Sequence, residues 1–245
     1  PDKLLDTYTG ASAAYSVRLL DKDYSGSCMR IRRDSDDSET DIGFDSNGNL
    51  DTAAIATHCG SANGYVVTWY DQSANSIDAT QTTASRQPDI YDGSAVLTEN
   101  GKPAIKEGRL EITGFTGVTT GTVLAVLANV PAYGIFVIKG GLPYAFKSSS
   151  GGTASAYRLF GTAPNTFING VEDTDLTDGE GYTAYGTSQA LVMAIGQTSL
   201  WNNALYIGVD YYMANTFQEL IIWDSNQTSN RSGIESDINT YFSIY

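Results

Sequence analysis

The sequence has few of the side chains that most often carry nucleophilic or metal chemistry. Its 245 residues include one histidine, His58, and two cysteines, Cys28 and Cys59. A Ser-His-Asp or Cys-His arrangement could form only around His58, and no Cys, Asp or Ser pattern surrounds that residue. The same scarcity argues against a zinc site. Two cysteines cannot build a disulfide framework for a chain of this length, so the fold must depend on its hydrophobic core.

Basic residues are scarce as well. The chain has 14 Lys and Arg against 28 Asp and Glu, which gives a formal net charge of −14 at pH 7. Phosphate binding needs clustered basic side chains, so we expect no nucleic-acid partner. The one basic cluster, Arg30, Arg32 and Arg33, is followed directly by the acidic segment 34–37. We expect these charges to be paired or solvated.

Long apolar segments are missing too. No run approaches the roughly 18 apolar residues that a membrane-spanning helix needs, and no signal-peptide pattern opens the sequence. The first residue is Pro1 rather than Met. From this we expect a chain that is processed, or cut from something longer.

The composition is typical of many short strands joined by polar turns, with 25 Gly and 16 Tyr. In the second half, β-branched and aromatic segments recur between Gly, Pro or Asn residues. We predict strands over residues 122–130, 134–138, 157–160, 166–168, 190–195, 205–209 and 216–223, and helices over residues 49–60 and 229–242. The pattern predicts an all-β fold, an antiparallel β-sandwich with two or three short helices. Because no repeat or linker interrupts it, we predict a single domain over residues 1–245.

The most distinctive segment is 64–80, which reads GYVVTWYDQSANSIDAT. Its first part has the β-branched and aromatic residues of a half-buried strand. Its second part is rich in Asp, Gln, Ser and Asn, whose side chains bond to nearby backbone and favour turns. From the residues alone, Asp71 and Ser73 are expected to cap a tight turn.

Tyr-Asp-Gln-Ser-x-Asn in this segment resembles the Y-D-Q-S-G-N signature of α-L-arabinofuranosidase B catalytic domains, glycoside hydrolase family 54. Three other segments are similar to that family: AYSVRLL at 14–20, RDSDD at 33–37 and NGKPA at 100–104. Similar stretches occur in concanavalin A-like domains of phage and bacterial surface proteins. The resemblance implies a concanavalin A-like jelly-roll. It also implies that Cys28 and Cys59 stay unbridged, because the family's partner position is Gly64 here.

The resemblance supplies one half of a catalytic pair. LYIGVD at 205–210 is similar to the family run that ends in its general acid, so Asp210 would be the acid. Retaining glycoside hydrolysis needs a second carboxylate about 5 Å away. The family's Asp-x-Glu-Asn nucleophile motif and the Cys-Cys before it are absent from this sequence. Four carboxylates remain as candidates for that role: Glu172, Asp173, Asp175 and Glu180.

A carbohydrate-binding site does not need a catalytic pair of carboxylates. It needs an aromatic face and polar side chains that bond to hydroxyls. We select candidates from residues 201–215 and from the signature: Trp201, Asn203, Tyr206, Asp210, Tyr211, Tyr212, Asn215, Asp71 and Gln72. The alternative is that the aromatic residues pack in the core or at a subunit contact. We expect no cofactor and no metal, although the acidic loops 34–41 and 172–180 are rich enough in oxygen ligands for calcium.

Because the nucleophile motif is missing, the sequence favours a non-enzymatic role. We expect a glycan-binding or adhesion domain of a virion or cell-surface protein, such as part of a phage fibre. Its partner would be a glycan or cell-surface polysaccharide, with self-assembly or a place in a larger virion assembly. Two alternatives stay open: an arabinofuranosidase-like glycoside hydrolase that uses Asp210, and a purely structural virion protein.

Overall fold

A computed structural model describes residues 2–114, 118–130, 136–137, 144–145, 165–174, 180, 183–184, 186–200, 205–208 and 215–245. The helices are α1 (Leu4–Thr7), α2 (Thr52–Cys59) and α3 (Arg231–Phe242), and a 3₁₀ turn covers Ala84–Arg86. No helix in these described ranges is long and apolar enough to cross a membrane. The helix predicted at 49–60 is confirmed, and the carboxylate of Asp51 caps it by accepting the Ala54 N–H at 2.9 Å.

Ten strands precede residue 113: β1 (Ala11–Ser16), β2 (Met29–Arg33), β3 (Glu39–Ile42), β4 (Asn63–Trp69), β5 (Ala79–Thr80), β6 (Asp89–Asp92), β7 (Thr98–Glu99), β8 (Lys102–Pro103), β9 (Ile105–Lys106) and β10 (Arg109–Ile112). Eight follow: β11 (Val118–Ala128), β12 (Phe136–Val137), β13 (Tyr144–Ala145), β14 (Asn165–Ile168), β15 (Val171–Asp173), β16 (Ala190–Leu200), β17 (Leu205–Gly208) and β18 (Thr216–Trp223). The predicted strand at 157–160 lies outside the described residues.

The described strands pair antiparallel, which confirms the predicted fold class. Their order is β15-β14-β16-β11-β18-β9-β6-β4-β5-β10-β17, with β1 also on β18 and with β2 paired to both β4 and β3. The hairpin between β14 and β15 turns at Asn169 and Gly170, with φ of 51° and 79°. Two successive left-handed residues are what the predicted Asn-Gly turn requires.

Strand β18 lies at the centre of this arrangement. One edge pairs with β11 along its length, and the other edge pairs with β1 and then with β9. All eight of its residues are buried. Trp69 and Trp223 are both fully buried. The chain therefore closes its first strand onto its last, with β9 brought to the start of β18.

The cysteines are free and buried, as expected. A Cβ placed on Gly64 would lie 2.6 Å from the Sγ of Cys59. The position that carries the second cysteine in the resembling family is therefore in contact with Cys59 here, and glycine leaves the thiol unbridged.

The basic cluster is paired with acidic neighbours, as predicted. Arg30 binds Asp41 through two bonds of 2.8 and 2.9 Å, and Arg33 binds Asp36. Arg32 is 2.8 Å from a carboxylate oxygen of Asp37. These contacts leave no cluster of free cations among these three arginines, and the expectation of no nucleic-acid partner stays a prediction.

Candidate active site

The signature Tyr-Asp-Gln-Ser-x-Asn acts as a clamp on the first strand. The Asp71 carboxylate is buried and accepts the N–H groups of Ala14, Ser73 and Ile77 at 2.8 to 2.9 Å. It also accepts the hydroxyl of Ser73 at 2.7 Å. Four donors occupy its two oxygens, so this side chain fixes the turn after β4 against β1.

Gln72 and Asn75 continue the same clamp. Gln72 accepts the Leu20 N–H at 2.8 Å and donates to the carbonyls of Ser16 and Arg18. Asn75 donates to the carbonyls of Ala11 and Ser12. These bonds give the signature a structural role, as expected for Asp71 and Ser73, and the sugar contacts expected of Asp71 and Gln72 stay predictions.

His58 also has a structural contact. Its Nε2 lies 3.2 Å from the carbonyl of Ser38, at the end of α2. No group of three or more His, Cys, Asp or Glu within the described ranges could hold a metal ion. The described part of the acidic loops therefore offers no built cation site.

A different cluster of polar groups forms where β9 passes into β10, and we call residues 106–109 the Glu107 turn. Lys106 pairs with Asp89 on β6 and with Thr216 on β18, whereas Arg109 pairs with Gly208 on β17. The turn thus connects β9 to β10 and pairs with three further strands, of which β17 and β18 are distant in sequence. Sequence reasoning missed it, because residues 78–108 show only a turn-rich pattern.

The backbone of this turn is tightly constrained. Glu107 has a φ of 57° and Gly108 a φ of 64°. The left-handed region is unfavourable for a residue with a long side chain, and such residues concentrate at functional sites. The N–H of Glu107 donates to the carbonyl of Asn215 at 2.9 Å. A Cβ on Gly108 would lie 2.6 Å from the nitrogen of Pro88, so only glycine fits there.

The carboxyl group of Asp89 lies near the charge of Glu107 at the turn. Asp89 is half-buried, and its burial, followed by the nearby charge of Glu107, raises its pKa to about 6. Glu107 itself is exposed. Two carboxyl groups in different environments, one with a raised pKa and one open to solvent, are a recurrent feature of acid–base sites.

Asn215 lies opposite Glu107 at the start of β18. It is 2% exposed, and neither its Oδ1 nor its Nδ2 has a hydrogen-bond partner among the residues that the structure describes. Buried amides are nearly always bonded, so an unpartnered one calls for an explanation. The sugar contact expected of Asn215 stays a prediction.

Strand β17 ends against the same turn. Gly208 has a φ of 94°, and a Cβ there would lie 2.4 Å from the carbonyl oxygen of Gly108. Tyr206 is 4% exposed, with the guanidinium of Arg109 4.2 Å from its ring centre. Its hydroxyl donates to Glu111 at 3.4 Å. The other predicted site residues, Trp201, Asn203, Asp210, Tyr211 and Tyr212, lie outside the described residues.

Solved structures with a similar fold are arabinofuranosidases. One is a family 54 α-L-arabinofuranosidase with a cyclic sulfate inhibitor, at a TM-score of 0.59 and 16% identity. Another is an arabinofuranosidase complexed with arabinofuranosyl-α-1,2-xylobiose, at 0.57 and 18%. Each comparison covers 96% of this chain and 64% of the other, so this chain spans less than two thirds of those proteins. At such identities the likeness shows the fold.

The sequence comparison goes further than the fold. No curated protein matches the chain. The model of the family described as alpha-L-arabinofuranosidase B, catalytic, matches residues 5–216, most of the chain. The expectation of a non-enzymatic glycan-binding or adhesion domain is therefore wrong, since it weighed one missing motif above a likeness to a catalytic domain that extends through the middle of the chain. The virion and phage-fibre setting has no support in these comparisons. The chain belongs to the alpha-L-arabinofuranosidase B catalytic-domain family.

Proposed function

We propose that this chain is an arabinofuranosidase-like glycoside hydrolase that acts on a terminal arabinofuranosyl group of a glycan. The observation that carries the proposal is the family match over residues 5–216. That match covers position 210, and the resemblance of the run LYIGVD implies that Asp210 is the general acid. A carboxylic acid in this role gives its proton to the departing glycosidic oxygen.

The surroundings of the Glu107 turn support the same chemistry. Gly208 is the last described residue of β17, and Asp210 follows it by two residues. The described end of β17 lies against Gly108, the neighbour of Glu107, and Asp89 pairs with Lys106 in the same turn.

Hydrolysis of 4-nitrophenyl α-L-arabinofuranoside, a compound soaked into one related family 54 enzyme, tests the proposal. We expect the purified chain to release 4-nitrophenol. Asp210→Asn should lower kcat/KM by about 10²- to 10⁴-fold, the usual contribution of a proton donor. Asp224→Asn is the matched control, because Asp224 is exposed just after β18.

The control variant should retain the activity and melting temperature of the wild type. An inactive wild-type chain with a native melting transition would refute the proposed function. Equal loss in both variants would show that the assay reports stability and not chemistry.

A further inference from the structure

Two exposed apolar side chains meet beside the turn between β14 and β15. Val171 is 69% exposed and Tyr245 is 54% exposed, and no other large hydrophobic residue of the described ranges is exposed. Gly170 lies between them. A Cβ on Gly170 would be 3.3 Å from the Tyr245 hydroxyl and 3.6 Å from two carbons of its ring. Tyr245 and Val171 therefore form one small exposed patch.

The backbone that carries the Tyr245 ring is fixed by two asparagine side chains. Asn239 on α3 accepts the Tyr245 N–H at 3.0 Å and donates to the Tyr245 carbonyl at 2.6 Å. Asn100 donates to the carbonyls of Phe242 and Ser243 at 2.8 and 2.9 Å. An aromatic side chain on an ordered backbone loses little conformational freedom when a ligand packs on it. The ring of Tyr245 is therefore a preorganised surface.

An ion pair with an unused acceptor lies beside the patch. Nη1 of Arg231 is 2.6 Å from Oε2 of Glu235 and 3.4 Å from the carbonyl oxygen of Gly170. Burial, followed by the nearby charge of Glu235, raises the pKa of Tyr245. Glu235 is 5% exposed, and its Oε1 has no hydrogen-bond partner among the residues that the structure describes. Buried oxygens are nearly always bonded, so this one is suited to accept a hydroxyl of a ligand.

The size and charge of the patch favour a glycan over a protein. A stable protein interface buries about 800 Å² on each partner, more than two exposed apolar side chains can supply. Arg231 and Glu235 neutralise each other, while Glu172 and Asp173 on β15 disfavour an anionic polymer. An aromatic ring beside a donor and an acceptor suits an uncharged sugar, whose C–H face packs on the ring while its hydroxyls bond to the polar groups.

We propose that Tyr245, Val171 and the Arg231–Glu235 pair form a second glycan-binding site, which holds a neutral polysaccharide that carries arabinofuranosyl groups. The class of glycan rests on the proposed function, whereas the site rests on the contacts of these side chains. Strand β15 is four strands away from β18, or about 19 Å along the sheet at the usual strand spacing. A polymer held here stays close to the chain between hydrolytic events, so its effective concentration at the active site rises.

Native gel electrophoresis in the presence of soluble arabinoxylan tests this site separately from catalysis. We expect arabinoxylan to slow the wild-type chain. Tyr245→Ala should weaken this binding about 5- to 10-fold, the contribution of one aromatic contact. Tyr245→Phe is the matched control, because it keeps the ring and should be slowed as the wild type is. Both variants should keep the wild-type melting temperature and the wild-type kcat and KM for 4-nitrophenyl α-L-arabinofuranoside, which is too small to reach both sites.

Equal slowing of Tyr245→Ala and the wild type would overturn the second site and leave the proposed function intact. Loss of activity on the small substrate together with loss of binding in Tyr245→Ala would also overturn it, in favour of a structural role. A wild type that arabinoxylan does not slow, and that forms a Tyr245-dependent dimer in size-exclusion chromatography, would assign the patch to a second copy of the chain. An inactive wild type whose slowing still depends on Tyr245 would refute the proposed function and support the site.

Discussion

At the residue scale, the contribution of a side chain to stability depends on its burial as well as on its hydrogen bonds. Asp71 is buried with four donors on two oxygens, whereas Asp36 makes bonds of similar number at the surface. Bonds to a buried charge contribute more, because their loss leaves donors without water. Mutation of Asp71 should therefore lower stability more than mutation of Asp36, although the two side chains make the same number of bonds.

Asp71→Ala should lower the free energy of unfolding by about 3 kcal/mol, because it leaves the N–H groups of Ala14, Ser73 and Ile77 without an acceptor. Asp36→Ala, the matched surface change, should cost no more than about 1 kcal/mol. Urea unfolding followed by tryptophan fluorescence measures both. Similar losses in the two variants would contradict the clamp.

A cysteine at position 64 should restore a bridge. Because the Cβ at Gly64 would lie 2.6 Å from the Sγ of Cys59, we expect Gly64→Cys to oxidise with Cys59 after a small local shift. The short loop that the bridge closes should add up to about 2 kcal/mol of stability. Thiol titration of the unfolded, unreduced variant should report one thiol, Cys28. Three free thiols would show that the neighbouring Tyr91 and Ile31 hold the backbone apart.

The raised pKa of Asp89 makes the stability of the folded chain depend on pH. A carboxyl whose pKa rises to about 6 on folding binds its proton more tightly in the folded chain. It is neutral and without cost below its unfolded pKa, and it destabilises the fold as pH rises through about 6. Asp89→Asn should therefore raise the melting temperature at pH 7.5 and have little effect at pH 3.5. A shift independent of pH would contradict this origin.

At the element scale, strand β18 and helix α3 contribute Glu219 and Asp237 to an ion network, and both residues lie beyond the family match, which ends at 216. Glu219 on β18 is fully buried and accepts Arg18 at 2.9 and 3.2 Å and the Ser16 hydroxyl at 2.7 Å. Arg18 also binds Asp237 on α3 at 2.7 Å. The network fastens the last helix to the first strand's end.

Glu219→Gln should destabilise the chain by about 3 kcal/mol, because it leaves the buried guanidinium of Arg18 poorly compensated. Asp237→Asn should cost much less, since Asp237 is partly exposed and Glu219 still compensates Arg18. Guanidinium unfolding of both variants measures the difference. A larger loss of stability in Asp237→Asn would show that the contact of Arg18 with α3 contributes more than its contact with Glu219.

The elements differ in how far the sequence predicts them. The range predicted for β18 is confirmed at both ends, since a continuous β-forming run stops at Asn215 and Asp224. The helix at 49–60 is confirmed because Asp51 and Gly60 bound it, as expected. The Glu107 turn could not be predicted, because its conformation depends on contacts with Gly208 and Asn215, which lie about a hundred residues away. Local patterns identify strands but not their partners.

At the scale of the whole molecule, the sandwich follows from composition and periodicity, whereas the function depended on the family match. One missing motif in the sequence favoured the wrong function. The single domain over residues 1–245 stays a prediction. Because β1, β9 and β11 all pair with β18, we expect unfolding in one cooperative calorimetric transition. Two separated transitions would contradict a single domain.

The pairing of β1 with β18 also constrains how the chain can fold as it is made. Ser16 and Glu219 are bonded across a separation of 203 residues. At about 5 to 20 residues per second, the ribosome delivers β18 roughly 10 to 40 s after β1 has emerged. Over that time the first strand has an unsatisfied edge, and contacts of such long range also slow the final closure. The nascent chain is therefore most open to aggregation just before β18 appears.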